Sequence, residues 1–132
     1  MKLYNKKIMI IDECKAMRDV ISSICSRCGA TTVTANNSRE GVLRAIKDRP
    51  HLIILHPGSE RRSGFFSYKF LKYHSETSHI PILLCTADHA APYSMDDVKI
   101  KFDDYILKPF GSEKLIEKIE KLLNIKGNVQ PV

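Results

Sequence analysis

The stretch "HLIILHPGSERRSG", residues 51–64, is apolar in its first half and polar in its second. Its leucines and isoleucines form a run too short for a typical helix, which favours a strand buried on both faces. Glycines and polar residues follow and predict a loop. An open α/β sheet places its working groups at the carboxyl ends of its strands, so His56 is the first candidate functional residue.

Similar apolar runs recur along the chain and alternate with amphipathic segments. The predicted strands lie at residues 7–12, 31–35, 51–55, 81–87 and 103–110. Apolar residues at three- and four-residue spacing predict helices from Met17 to Gly29, from a Ser38 cap to Pro50, from Phe65 to Tyr73, and from a Ser112 cap to before Gly127. Residues 88–101 predict at most a short, poorly formed helix.

The alternation of strands and helices indicates an α/β fold in a chain of 132 residues, a length that suits one domain. Because the predicted strands are apolar throughout, the sheet should be parallel and covered by helices on both faces. Right-handed crossovers favour a doubly wound, flavodoxin-like arrangement with strand order 2-1-3-4-5 and five helices.

The composition predicts a cytoplasmic globular protein. The formal net charge is +6, but the lysines and arginines are scattered, so we expect no nucleic-acid partner for this chain alone. No apolar stretch approaches the roughly 20 residues of a membrane span, and we expect no membrane partner. The four cysteines should be reduced thiols, since "CSRC" (25–28) has no second pair to complete a zinc site.

Polar side chains stand at the ends of four predicted strands: Asp12 with Glu13, His56, Thr86 and Lys108. Each has an ordinary structural interpretation alone, such as a helix cap for Asp12 or a solvated charge for Lys108. Their joint placement at one sheet edge instead predicts a site. Adjacent carboxylates repel, so a divalent ion or Lys108 would have to compensate them.

These motifs resemble the receiver domain of bacterial response regulators. The resemblance rests on "IMIIDECKAMRDVI" (8–21), "PHLIIL" (50–55), "IPILLCTA" (80–87) and "DDYILKPF" (103–110), in the family's order and spacing. It covers about residues 5–124, which we take as one receiver-like domain, with 125–132 as a C-terminal tail or the start of a linker.

The resemblance implies a role for each matching residue. Asp12 and Glu13 would bind a metal ion, to which Gly58 would lend its backbone carbonyl. Thr86 would sense a phosphoryl group and Lys108 would balance its charge. Two further roles complete the implied set: Tyr105 as the aromatic switch, and Pro109 as the second residue of a cis peptide bond.

The departure from the family is at His56, where the resemblance places the phosphoacceptor aspartate. Without that carboxylate an acyl phosphate cannot form, and Mg²⁺ binding should be weakened or lost, so we expect no cofactor. His56 has several possible roles. It could be protonated and paired with Asp12 and Glu13, become phosphorylated itself, help to bind a transition metal, or have no role.

The resulting hypothesis is a non-enzymatic pseudo-receiver in a two-component or phosphorelay pathway. Its partners would be a histidine kinase, a phosphotransfer protein or a downstream effector. A homodimer could form through the face made by the fourth predicted helix, the fifth strand and the last helix. The alternatives are a phosphotransfer component that uses His56, and the receiver part of a longer regulator with a nucleic-acid-binding output domain.

Overall fold

The fold is a five-stranded parallel sheet with strand order β2-β1-β3-β4-β5, as predicted. The computed structural model describes residues 2–56, 61–86 and 103–125, without the side chains of residues 61–66. The strands are β1 (Lys7–Ile11), β2 (Thr31–Ala35), β3 (Leu52–Leu55), β4 (Ile82–Thr86) and β5 (Asp104–Leu107). The two central strands, β1 and β3, pair from Ile8↔Leu52 to Ile11↔Leu55.

The described residues form four helices. They are α1 (Lys15–Arg27), α2 (Ser38–Asp48), α3 (Arg61–Tyr73) and α4 (Ser112–Leu122). The fourth predicted helix, at 88–101, falls outside the described residues. Helix α3 begins four residues before the predicted start at Phe65, because "RRSG" (61–64) continues the helix instead of the loop that its glycine suggested.

Both predicted serine caps were wrong by one residue. Asn37 caps α2, since its side-chain oxygen accepts a hydrogen bond from the backbone N–H of Glu40 at 2.8 Å. Ser38 is then the first helical residue. Gly111 occupies the cap position of α4 without a side-chain hydrogen bond, and Ser112 follows inside the helix. Asparagine and serine are similarly good caps, so sequence alone did not separate adjacent candidates.

The core has two layers, one on each face of the sheet. Ile8 and Ile10 of β1 pack with α1 and α4, whereas Met9 and Ile11 face α2 and α3. Successive side chains of a strand point to opposite faces, so the run "IMII" (8–11) supplies both layers. This explains why the central strands are apolar at every position.

One close contact positions α2 on the sheet, and one hydrogen bond joins the amino-terminal ends of β1 and β3. A Cβ added at Gly41 of α2 would overlap Cδ1 of the buried Ile11, so glycine lets α2 approach the sheet. At the amino-terminal edge, the backbone N–H of Lys7 donates to Nδ1 of His51 at 2.9 Å.

None of the helices in the described part of the chain is long and apolar enough to cross a membrane.

Candidate functional site

The carboxyl edge of the sheet brings four of the predicted residues to neighbouring strand ends. Asp12 follows β1, His56 follows β3, Thr86 ends β4, and Lys108 follows β5. Backbone hydrogen bonds extend the ladders to this edge: His56 N–H donates to Ile11 O at 2.9 Å, and Lys108 N–H donates to Thr86 O at 2.8 Å. The backbone hydrogen bonds therefore fix the positions of His56 and Lys108 at this edge.

Asp12 is the buried anion of this edge, with 3% of its surface exposed. Its Oδ2 lies 3.4 Å from Nζ of Lys108, and its Oδ1 accepts the backbone N–H of Cys14 at 2.9 Å. A buried carboxylate needs both a compensating charge and hydrogen-bond donors. Asp12 has both, and it also serves the turn that leads into α1, so its structural and electrostatic roles coexist.

His56 makes its described contacts through one ring nitrogen. Nδ1 lies 2.9 Å from the backbone oxygen of Cys85 and 3.4 Å from Nζ of Lys108. A carbonyl oxygen only accepts, so Nδ1 must carry the hydrogen in that pair. Nζ of Lys108 is also a donor, and its contact with Nδ1 is therefore not a hydrogen bond.

The bond from His56 to Cys85 adds a side-chain link between β3 and β4 at the carboxyl edge. In the β3–β4 ladder, Ile53 N–H donates to Pro81 O, and Leu55 pairs with Leu84. The imidazole donates to the carbonyl of the residue that follows Leu84, so His56 extends the contact between the two strands beyond their last described pair.

The two predicted acidic residues differ in their surroundings. Asp12 is buried, whereas Glu13 is exposed. Arg18 of α1 holds the backbone between them, since its Nη1 donates to Asp12 O at 2.7 Å and to Glu13 O at 3.2 Å. Arg18 was not among the predicted site residues. Its position five residues after Glu13, in "DECKAMR" (12–18), was the available signal.

The donor set of this edge does not fit a hard divalent cation well. Mg²⁺ prefers carboxylate and water oxygens, but one oxygen of Asp12 faces Lys108 and the other accepts a backbone N–H. His56 contributes a nitrogen in place of a carboxylate. Within residues 2–56, 67–86 and 103–125, no three His, Cys, Asp or Glu side chains are grouped as a metal site. Gly58 lies outside the described residues.

The remaining predicted residues lie on β4 and β5. Thr86 is buried, and Tyr105 is half-buried with Nζ of Lys118 5.7 Å from its ring centre. Lys118 in turn pairs with Asp104 at 3.1 Å. These contacts between α4 and β5 were not predicted, because Lys118 lies 13 residues after Tyr105 and 14 residues after Asp104 in the sequence. The Lys108–Pro109 peptide bond is cis.

The thiol of Cys85 lies next to this site and is not a reactive group. Burial raises the pKa of Cys85 to about 12; the nearby Lys108 opposes this increase and Asp12 adds to it. A thiol that stays protonated is a poor nucleophile and a poor metal ligand. Cys85 therefore contributes to the site through its backbone oxygen.

Comparison with curated proteins gives relatives that are longer than this chain. It is 26% identical over 125 residues to the phosphate regulon transcriptional regulatory protein PhoB of Pseudomonas aeruginosa, which covers 95% of this chain and 55% of that protein. It is 28% identical over 117 residues to the DNA-binding dual master transcriptional regulator RpaA of Synechocystis, covering 89% of this chain and 48% of that protein. The chain thus spans about half the length of these relatives.

Solved structures show the same fold. The chemotaxis protein CheY4 of Vibrio cholerae superposes with a TM-score of 0.80 at 23% identity, covering 89% of this chain and 98% of that one. A receiver domain of a sensor histidine kinase from Pseudomonas aeruginosa, solved with magnesium in its active site cleft, has a TM-score of 0.79 at 17% identity, covering 90% and 98%. The family model for the response regulator receiver domain matches residues 8–120. Together with the strand order, this match establishes that the chain belongs to the response regulator receiver domain family.

Proposed function

We propose that this receiver domain is a pseudo-receiver, a protein-interaction module of a two-component or phosphorelay pathway that works without phosphoaspartate. The observation that carries the proposal is the hydrogen bond from His56 to Cys85 O. His56 stands where the resemblance places the phosphoacceptor, and its ring is used as a donor between two strands. The proposed role is not enzymatic and implies a cytoplasmic location.

The chemistry of the edge supports this proposal. A phosphoaspartate is an acyl phosphate, and its formation needs a carboxylate nucleophile. His56 has none, and its Nδ1 is occupied by the Cys85 carbonyl. Lys108, which the resemblance assigns to a phosphoryl group, already compensates the buried Asp12. The pocket is thus neutralised internally in the absence of phosphate.

The same contacts support weak Mg²⁺ binding as part of the proposal. An ion would have to displace Lys108 from Asp12 and would gain no carboxylate from position 56. We expect the His56→Asp variant to bind Mg²⁺ more tightly than the wild type. The assay is an NMR titration with MgCl₂ that follows the amide signals of Asp12 and Glu13. Equal affinity in the two proteins would contradict this part.

The partners in this proposal are signalling proteins, namely a histidine kinase, a phosphotransfer protein or a downstream effector. Tyr105 and α4 would contribute to the partner or homodimer face, with Tyr105 held beside Lys118. Thr86 would keep its place at the end of β4 without a phosphoryl group to sense. In this view the domain presents one fixed surface instead of switching between two.

Intact-mass analysis tests the central point. The wild type, His56→Ala and His56→Asp would be incubated with MgCl₂ and acetyl phosphate and analysed without acid, because phosphohistidine is acid-labile. We expect no phosphoryl group on the wild type or on His56→Ala, and one on His56→Asp. If His56→Asp does not fold, the comparison of the wild type with His56→Ala still decides whether His56 is phosphorylated.

A phosphorylated wild type whose modification disappears in His56→Ala would overturn the proposal. It would support the second candidate, a phosphotransfer component. One observation favours that candidate: within the described part of the chain, Nε2 of His56 has no hydrogen-bond partner, and both contacts of the ring use Nδ1. Phosphorylation would then occur on Nε2.

A third candidate is the receiver part of a longer regulator that binds DNA. It is favoured by the coverage of the curated relatives, of which this chain spans about half, and by their names as transcriptional regulators. The complete coding sequence tests it directly. An open reading frame that encodes a DNA-binding domain fused to this one would place the pseudo-receiver in such a regulator.

A further inference from the structure

A groove between α1 and α4 has no part in the function proposed above. It encloses about 540 Å³, a volume within the range of small-molecule sites. Ile24 of α1 and Ile116 of α4 contribute apolar surface, and Glu117 and Glu120 lie on the same side of α4. Residues three and four apart share one helix face, so α4 presents both apolar and acidic groups to the groove.

Glu120 is unusual among these residues because it is a buried acid. Only 8% of its surface is exposed. Its Oε1 lies 3.8 Å from Nζ of Lys2, beyond hydrogen-bond distance, and its Oε2 has no hydrogen-bond partner among the described residues. Buried carboxylates are normally paired and hydrogen-bonded. The groove therefore contains an acceptor whose donor is not supplied by the described chain.

We propose that this groove binds a protonated amine or a guanidinium group carried on an apolar chain. The cation would donate to Oε2 of Glu120, and its apolar chain would lie over Ile24 and Ile116. Ammonium and guanidinium groups carry donors only, which matches an unpaired carboxylate oxygen. The exposed Glu117, one turn before Glu120, adds negative charge at the entrance.

Two cations also line the groove and limit what can enter. Lys2 and Arg27 are both exposed, so water screens their repulsion toward a ligand. Lys2 makes only a long contact with Glu120, and its flexible side chain can move away. An anionic ligand could contact these two cations but would leave Oε2 of Glu120 without a hydrogen-bond donor. The buried acid thus selects for a cation.

Agmatine is a suitable probe, since it carries a guanidinium and an ammonium group on an aliphatic chain. Amide chemical shifts of the whole chain would be followed by NMR during titration. We expect saturable shifts concentrated at Ile24, Cys28, Ile116 and Glu120. Pentanamide, a neutral molecule of similar length, should give none. Equal shifts with pentanamide, or shifts spread evenly over the acidic surface, would overturn the proposal.

Two matched variants locate the interaction. Glu120→Gln removes the buried charge and Glu117→Gln removes an exposed charge from the same helix. We expect Glu120→Gln to weaken agmatine binding about tenfold or more, as for loss of a charged hydrogen bond, and Glu117→Gln to change it about twofold. Equal weakening by the two variants would contradict a specific role for Glu120. The comparison of agmatine with pentanamide on the wild type does not depend on either variant.

The cation could belong to a free amine or to a basic side chain of a partner protein. A capped peptide with one arginine between two leucines distinguishes these sources. Binding of the peptide about tenfold tighter than agmatine would identify a partner's side chain, and the reverse order would identify a free amine. Failure of both probes would overturn the groove as a cation site, and it would leave the result at His56 unaffected.

Discussion

Replacing Lys108 by methionine tests whether Lys108 compensates the buried charge of Asp12. Methionine keeps the length and apolar stem of lysine and removes the ammonium group. Asp12 would then retain the Cys14 N–H as a described donor but would lose its counter-charge. Because Asp12 is almost fully buried, water cannot replace that charge without a change in the structure.

The distance and exposure of the pair set the expected loss. Unit charges 3.4 Å apart interact by about 5 kcal/mol at an effective dielectric constant near 20. The Lys108 side chain is 19% exposed, so its own desolvation and the remaining water reduce the net effect. We expect the free energy of unfolding to fall by about 2–3 kcal/mol in Lys108→Met. For a chain of this length, that loss corresponds to about 7–11 °C in Tm.

Urea unfolding at neutral pH measures this change, and Lys15→Met provides the control. Lys15 pairs with Asp19 at 2.7 Å, but both side chains are largely exposed, so its replacement should cost less than about 0.5 kcal/mol. A double-mutant cycle with Asp12→Asn should return a coupling energy above about 1 kcal/mol. If Lys108→Met is as stable as Lys15→Met, Lys108 does not compensate the charge of Asp12. The proposal that the pocket is neutralised internally would then be wrong.

Three further predictions concern the rest of the domain. Partial burial, and to a lesser extent the charges of two nearby lysines, lower the pKa of His51 below 6.5. His51 should therefore contribute its full stabilisation above pH 6.5, and the free energy of unfolding should fall as the pH decreases below that value. His51→Gln should reduce this fall, measured by urea titrations at a series of pH values. Gly41→Ala should lower the free energy of unfolding by about 1–3 kcal/mol, since its Cβ would overlap a buried β1 side chain. Burial raises the pKa of Cys25 and Cys85 to about 12, so a thiol reagent at pH 8 should modify exposed Cys14 first and these two only on unfolding.

The sheet was predictable because its signals are local and strong. The run "IMII" (8–11) is apolar at every position, which occurs when both faces of a strand are covered, and β2 matched its predicted residues 31–35. Handedness rules then leave few strand orders. The start of α3 was missed because glycine in "RRSG" (61–64) is also tolerated inside a helix that packs on the sheet.

The candidate site was only partly predictable, because side-chain contacts depend on three-dimensional distances. The predicted strand ends identified Asp12, His56, Thr86 and Lys108 as candidate site residues but did not show which of them contact one another. That a protonated His56 pairs with Asp12 and Glu13 stays a prediction. In the structure, Nδ1 of His56 donates to Cys85 O, and Lys108 is the cation next to Asp12. A backbone carbonyl has no signature in the sequence, so this partner could be found only in the structure.

The donor that His56 gives to Cys85 O limits which side chains position 56 can carry. A change from histidine to aspartate removes the imidazole N–H, so the Cys85 carbonyl loses its described side-chain donor at a cost of about 1–3 kcal/mol. Side chains with an N–H donor could preserve this link between β3 and β4, whereas a carboxylate would break it. The carboxylate that an acyl phosphate requires and the donor that this sheet edge uses are therefore mutually exclusive at position 56.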